Sequence, residues 1–295
     1  MGRRYWFNLL RAALFFLAVI LLALTAWMGC LYSQIYIHPP RHIASGNSLN
    51  ENNIEYRDIE LHTEDGITLS AWYTPPKNGA VILLAHGYSG FRTTNYYLLF
   101  AKRGFGVLAW DFRAHGESGG DFSTLGDDER LDVEAALDYA LAQSGVRHVG
   151  AWGGSMGGAT VVLTAAYRPE IEAVVSDSAY PTLEDAYRVG SPATVLQPMM
   201  FFIEMQTGAT IDDIRPVDEI GKISPRPVFI IDGWEGAAVL MNSPYRLHNA
   251  AGDPKTLWVE EGVPHFSMYA YYPEEYAQRV IDFFEEYLVN TAPPP

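Results

Sequence analysis

The segment Trp152-Gly153-Gly154-Ser155-Met156-Gly157-Gly158 sets a G-x-S-x-G pentapeptide between an apolar run and a helix of small residues. A serine hydroxyl raised on a sharp strand-to-helix turn has strained torsions, and only glycine-sized neighbours let the chain fold back so tightly. Ser155 is therefore the candidate nucleophile. At neutral pH a serine attacks weakly unless a base lies within hydrogen-bond reach and donors face the oxyanion that forms on the attacked carbonyl. His265, in Glu261-Gly262-Val263-Pro264-His265-Phe266 between the last strand and the last helix, is the candidate base. His86 and His115 sit in turns where a structural hydrogen bond is the expected role, and His38, His42, His62, His148 and His248 lack a partner motif. Ala85-His86-Gly87-Tyr88-Ser89-Gly90 follows a buried strand and precedes a helix, so the Tyr88 N–H is expected to face the oxyanion beside the Met156 N–H.

The elements that must hold these groups read as an α/β domain. Ile54 to Leu61 and Ile67 to Thr74, separated by Glu64-Asp65-Gly66, give a hairpin signal. Apolar strands then alternate with helical patterns at 80–85, 106–110, 149–152, 171–176, 227–231 and 256–259, which argues for βαβ units and a largely parallel sheet. Two stripes have helical spacing: Val133, Ala136, Leu137, Ala140 and Leu141, and Tyr276, Val280, Phe283, Phe284, Tyr287 and Leu288. Both read as core faces. From Thr182 to Gly221 the rhythm breaks, and Met199, Met200, Phe201, Phe202, Ile203 and Met205 describe a helix apolar on every side. Such a helix needs cover, either as ordinary core or as a small cap whose inner face receives an acyl chain. The proline-rich tail from Thr291 to Pro295 is expected to fray.

At 295 residues, with 48% hydrophobic composition, the chain holds one large domain and a short appendage. Its single cysteine, Cys30, excludes an intramolecular disulfide and a cysteine-based metal site. The first 41 residues carry four arginines and no acidic residue, so the body stands at −19 against −15 for the whole chain. A body so acidic is a poor nucleic-acid binder.

From Ala12 to Tyr32 the chain is uncharged and dense in Leu, Phe, Ala, Val and Ile, matching the ~20 residues that cross a bilayer core. Trp6 and Phe7 before it and Trp27, Tyr32 and Tyr36 near its far end suit the two membrane interfaces. Arg3, Arg4 and Arg11 place the amino terminus in the cytoplasm, with Arg41 opposing weakly, and send the body to the extracytoplasmic side as a single-pass membrane protein. The rivals are a cleaved signal peptide, a lipoprotein site at Cys30, or a buried soluble helix. Against cleavage, the apolar region is long and Ala23 to Cys30 offers poor small-residue sites.

Taken together, HGYSG at 86–90, DFRAHGES at 111–118, GGSMGG at 153–158, VVSDSAY at 174–180, RPVFIIDG at 226–233 and KTLWVEEGVPH at 255–265 resemble the α/β-hydrolase superfamily. The resemblance runs over about residues 55 to 290. It is closest to a small-lidded, often membrane-anchored serine-hydrolase branch described as aminopeptidase-like or acylhydrolase-like. It implies an eight-stranded, mostly parallel sheet flanked by helices, with a short helical cap between strands six and seven. It also implies a Ser–His–acid triad and hydrolysis of esters, thioesters or amides with no cofactor or metal. Residues 1–41 are then the anchor and juxtamembrane segment, and 42–295 the hydrolase domain with 182–221 as its cap. Asp111, Arg113 and His115 match a family turn that is usually structural.

The acid departs from the family pattern, because Gly236 stands where the aspartate after strand 227–231 belongs. Glu235, adjacent and one methylene longer, is the first candidate to orient His265 after a local shift of the loop. Asp177 and Asp232 are the others, and the absence of any functional acid is a fourth reading. Three functions follow. The first is a membrane-anchored serine hydrolase of lipid-like or small acyl substrates. The second is a hydrolase scaffold recruited for binding, and the third an aminopeptidase that needs an acidic pocket for a substrate ammonium.

Overall fold

The computed structural model describes residues 2–290; the proline-rich tail expected to fray, 291–295, lies outside them. Eight strands form one sheet in the order β1-β2-β4-β3-β5-β6-β7-β8. They are β1 (Arg57–His62), β2 (Thr68–Thr74), β3 (Ala80–Ala85), β4 (Gly106–Trp110), β5 (His148–Gly154), β6 (Ile171–Asp177), β7 (Val228–Trp234) and β8 (Lys255–Glu261). β1 and β2 make the expected antiparallel hairpin, turned through Gly66 at φ 87°, and β2 pairs antiparallel with β4. All remaining pairs are parallel. A parallel sheet is covered on both faces, which is why β3 and β4 are apolar and buried at every position instead of alternating.

The cover comes from helices in the connections. Ahead of the sheet lie α1 (Gly2–Ile37) and the short α2 (Asn47–Glu51). Within it come α3 (Thr94–Ala101), α4 (Glu129–Leu141) and α5 (Met156–Ala165). Between β6 and β7 the chain forms α6 (Leu183–Gly190), α7 (Ala193–Thr207) and α8 (Pro216–Glu219). α9 (Ala237–Met241) and α10 (Ser243–Ala250) precede β8, and α11 (Met268–Tyr271) and α12 (Pro273–Phe284) follow it. One core layer joins the sheet to α4 and α5 through Val133, Ala136, Val161 and Val162; the other joins it to α3 and α12 through Tyr97, Phe100, Tyr276 and Phe284. The two helical stripes read from the sequence are these core faces. Leu141 is the exception, left exposed at the last position of α4.

α7 buries Val195, Leu196, Met199, Met200 and Ile203, while Phe201 and Met205 face outwards. Its cover is α1, which packs against α7 more extensively than any other two helices pack. α1 is long and apolar enough to cross a membrane, a test that signal sequences also pass.

Candidate active site

Ser155 sits between the end of β5 and the first residue of α5, at φ 52° and ψ −116°. That conformation costs a non-glycine residue roughly 1–3 kcal/mol and persists only where the surroundings enforce it. The surroundings do so by close approach. A Cβ on Gly153 would lie 2.3 Å from Gly157 O, and one on Gly157 would lie 2.2 Å from Ala85 O. The Ser155 N–H is fixed by Asp177 O at 2.8 Å.

His265 and Ser155, 110 positions apart, meet with Nε2 3.0 Å from Oγ. The loop carrying His265 is fastened at the next residue. Phe266 has φ 53°, an unusual value for an aromatic residue, and its N–H donates to Ser178 Oγ at 3.0 Å. Ser178 Oγ donates in turn to Asp177 Oδ1 at 2.8 Å. The Phe266 ring lies across Gly154, where an added Cβ would come within 2.2 Å of it. The outer edge of His265 is open to solvent, yet the crowded loop desolvates the ring and lowers its pKa from the ordinary 6.5. That shift favours the neutral imidazole, the form that accepts a proton.

Tyr88 and Met156 flank the serine. The Met156 N–H is the first of the orphan donors at the positive end of α5. Among the described residues neither it nor the Tyr88 N–H has a main-chain or side-chain acceptor. The loop that carries Tyr88 closes on the elbow, since a Cβ on Gly87 would lie 3.2 Å from Ser155 Cβ. Two histidines hold that loop. His86 bonds Gly87 O through Nδ1 and accepts the Phe112 N–H at Nε2, and burial pushes its pKa down to about 3. His115 accepts the Ser89 N–H at Nε2 and bonds Arg113 O. Asp111 accepts the Arg92 and Glu117 N–H groups, and Arg113 pairs with buried Asp132. The 111–115 turn and both histidines therefore occupy structural positions.

The acid side is different. Glu235 stands exposed one residue past β7 and forms no hydrogen bond with His265. Its N–H folds back onto Gly233 O at 3.1 Å, a three-residue turn that takes the chain off the strand before the side chain can reach inwards. Gly236 follows at φ 60°, and a Cβ there would meet open space. Asp232 is buried and accepts from Ser243 Oγ at 3.0 Å. Burial, then the charge of Asp177, push its pKa up to about 7. Asp177 accepts from Tyr276 and Ser178. Burial raises it to about 6 against those bonds. Among the described residues no carboxylate bonds the second ring nitrogen of His265.

Ser155 and His265 open onto a cavity of roughly 370 Å³ whose walls include Leu84, Phe91, Tyr96, Trp152 and Phe266. Among the described residues no carboxylate lines it, and the one formal charge is Arg92, already paired with Asp111 and Glu117. Nor does any residue of 182–221 line it, so the apolar helix α7 is core and α1-docking surface instead of an acyl-receiving wall of this cavity.

A family model described as alpha/beta hydrolase fold matches residues 80–217. An uncharacterized protein of Mycobacterium tuberculosis is 30% identical over 244 residues, 80% of this chain and 80% of that one. This chain belongs to the α/β-hydrolase family. Among solved structures, an esterase of Pyrococcus furiosus aligns with a TM-score of 0.69 at 27% identity, over 86% of this hydrolase and 98% of the esterase. The quorum-quenching protein AidA of Acinetobacter baumannii is 28% identical over 210 residues, 68% of this chain and 65% of its own. Two fastenings of the α/β hydrolase's site were not visible as pattern: the Phe266 ring on Gly154, and the Phe266–Ser178–Asp177 chain of hydrogen bonds. The glycine pair before Ser155, Gly153 and Gly154, is the available signal for the first.

Proposed function

We propose that the protein is a membrane-anchored serine hydrolase that cleaves ester or other acyl bonds. Ser155 attacks the carbonyl, His265 takes its proton and later returns it to the leaving group, and the Tyr88 and Met156 amides hold the oxyanion. The observation that carries this reading is the 3.0 Å Ser155–His265 contact at the mouth of an aromatic, carboxylate-free cavity. The similarity to a solved esterase supports acyl chemistry, and the apolar walls suit an acyl group better than a charged one. The aminopeptidase reading lacks the counter-charge it needs, since an ammonium would meet Arg92 in that cavity. Arg3, Arg4 and Arg11 ahead of the apolar helix support an extracytoplasmic catalytic domain.

A specific observation favours a second reading, a scaffold with weakened catalysis used for binding: Gly236 stands where the family places its aspartate. The elbow weighs against it, because strain of that kind is retained where it serves chemistry. Nitrophenyl esters of graded chain length, with an aminoacyl amide as contrast, separate the readings. The hydrolase reading expects ester turnover that varies with acyl length and is absent in Ser155→Ala; turnover of none of the esters by folded full-length protein leaves the scaffold reading.

A further inference from the structure

The uncharged part of α1 that stands clear of the body is too short to cross a bilayer. Residues 12–24 are exposed throughout, and this stretch of helix rises about 20 Å against a hydrocarbon core of about 30 Å. The missing ~10 Å corresponds to about seven more residues, which carries the span to Leu31. That added segment is where α1 docks on α7. Gly29 is buried there, and a Cβ on it would lie 2.5 Å from Pro198 Cβ.

The face α7 turns outwards suits the same medium. Phe201 and Met205, one turn apart, are 60% and 62% exposed. α7 has a single charged residue, Glu204, which accepts the Ile211 N–H at 3.1 Å and so turns towards the body. Gln197, exposed one turn before Phe201, bounds the apolar face, and at the junction Gln206 donates to Ser33 Oγ at 3.1 Å and accepts from Gln34. A low-dielectric setting demands such pairing.

We propose that the outer face of α7 is immersed in the lipid bilayer beside α1, with Phe201 and Met205 against acyl chains. This rests on the reading of α1 as a membrane anchor. It also fixes the height of the site. The Tyr88 hydroxyl donates to Ile35 O, so the loop carrying the proposed oxyanion donor meets α1 only about 5 Å beyond the end of its apolar stretch. The cavity then opens at the membrane surface, where an amphiphilic acyl substrate resides.

The test uses the full chain in a Cys30→Ser background, with one cysteine at a time introduced by Ile20→Cys, Phe201→Cys, Met205→Cys or Leu141→Cys. Each is labelled with bimane and reconstituted into phosphatidylcholine vesicles. Brominated acyl chains quench from the lipid, and iodide quenches from water. Immersion predicts strong lipid quenching at 20, 201 and 205, with several-fold lower iodide quenching there than at 141. Lipid quenching at 20 with free iodide access at 201 and 205 overturns the proposal while leaving the anchor intact. Iodide access at 20 overturns both. Protection of 201 and 205 from both quenchers means that protein covers them, a second copy for instance, and overturns immersion.

Discussion

The two sides of His265 are built to different standards. Towards Ser155 every group is fixed: the elbow is strained and locked by backbone approach, the Phe266 ring fills the space over Gly154, and Ser178 ties the loop to Asp177. Towards the turn after β7 the same imidazole meets no carboxylate, Glu235 is in solvent and Gly236 has no side chain. In a triad the acid sets the tautomer and stabilises the imidazolium. Here the loop is held by packing and by the Ser178 hydrogen bond, and among the described residues no carboxylate bonds the ring. On the proposed hydrolase reading, the contrast describes a dyad that keeps proton transfer and oxyanion stabilisation and lacks one electrostatic contribution.

The largest effect is expected from His265→Ala, which should lower kcat/KM by about 10³-fold or more if His265 acts as the proposed base. Gly154→Ala tests the packing device. With its Cβ 2.2 Å from the Phe266 ring, the His265 loop must move, and kcat should fall roughly 10²-fold with a much smaller change in KM. An unaltered kcat would mean that the ring does not position the base.

Gly236→Asp addresses the other side. A Cβ there meets open space, so a carboxylate has room, and kcat should rise about tenfold, at a cost of about 1–3 kcal/mol in stability from φ 60°. Glu235→Gln should leave kcat within about twofold; a loss near 10⁴-fold would identify Glu235 as the acid after all. The pH profile sharpens the same contrast. The base form of His265 is the neutral one and burial lowers its pKa, so kcat/KM should rise through a midpoint below 6.5 and stay level above it. In Gly236→Asp the new negative charge should move that midpoint upwards.

The smallest effect concerns Asp232. Its folded pKa of about 7 exceeds the ordinary 3.8, so the folded state binds the extra proton. The stability this contributes is present at low pH and lost as pH rises through 7. Asp232→Asn should therefore raise Tm by a few degrees more at pH 8 than at pH 5, measured by thermal unfolding at both.

What could be read from the chain follows how local each feature is. The eight strands, the elbow and the His265 loop are written in contiguous residues, through apolar runs and glycine spacing, and the sheet brings them together as the motif order implies. Long-range fastenings escape such reading. Nothing near Gly154 announces a ring from residue 266, and nothing in Met199 to Met205 says that its cover is the helix at the amino terminus. The acid side falls between the two: Gly236 marks a gap in the motif, but whether Glu235 bends back to fill it is decided by the turn at Gly233, a tertiary matter.

The central claim, a serine made nucleophilic by His265, is tested most directly with a fluorophosphonate probe on the full-length protein. Covalent labelling that is lost in Ser155→Ala and strongly slowed in His265→Ala is the predicted result. A folded wild-type protein that takes up no label, or one labelled equally well without Ser155, would contradict it.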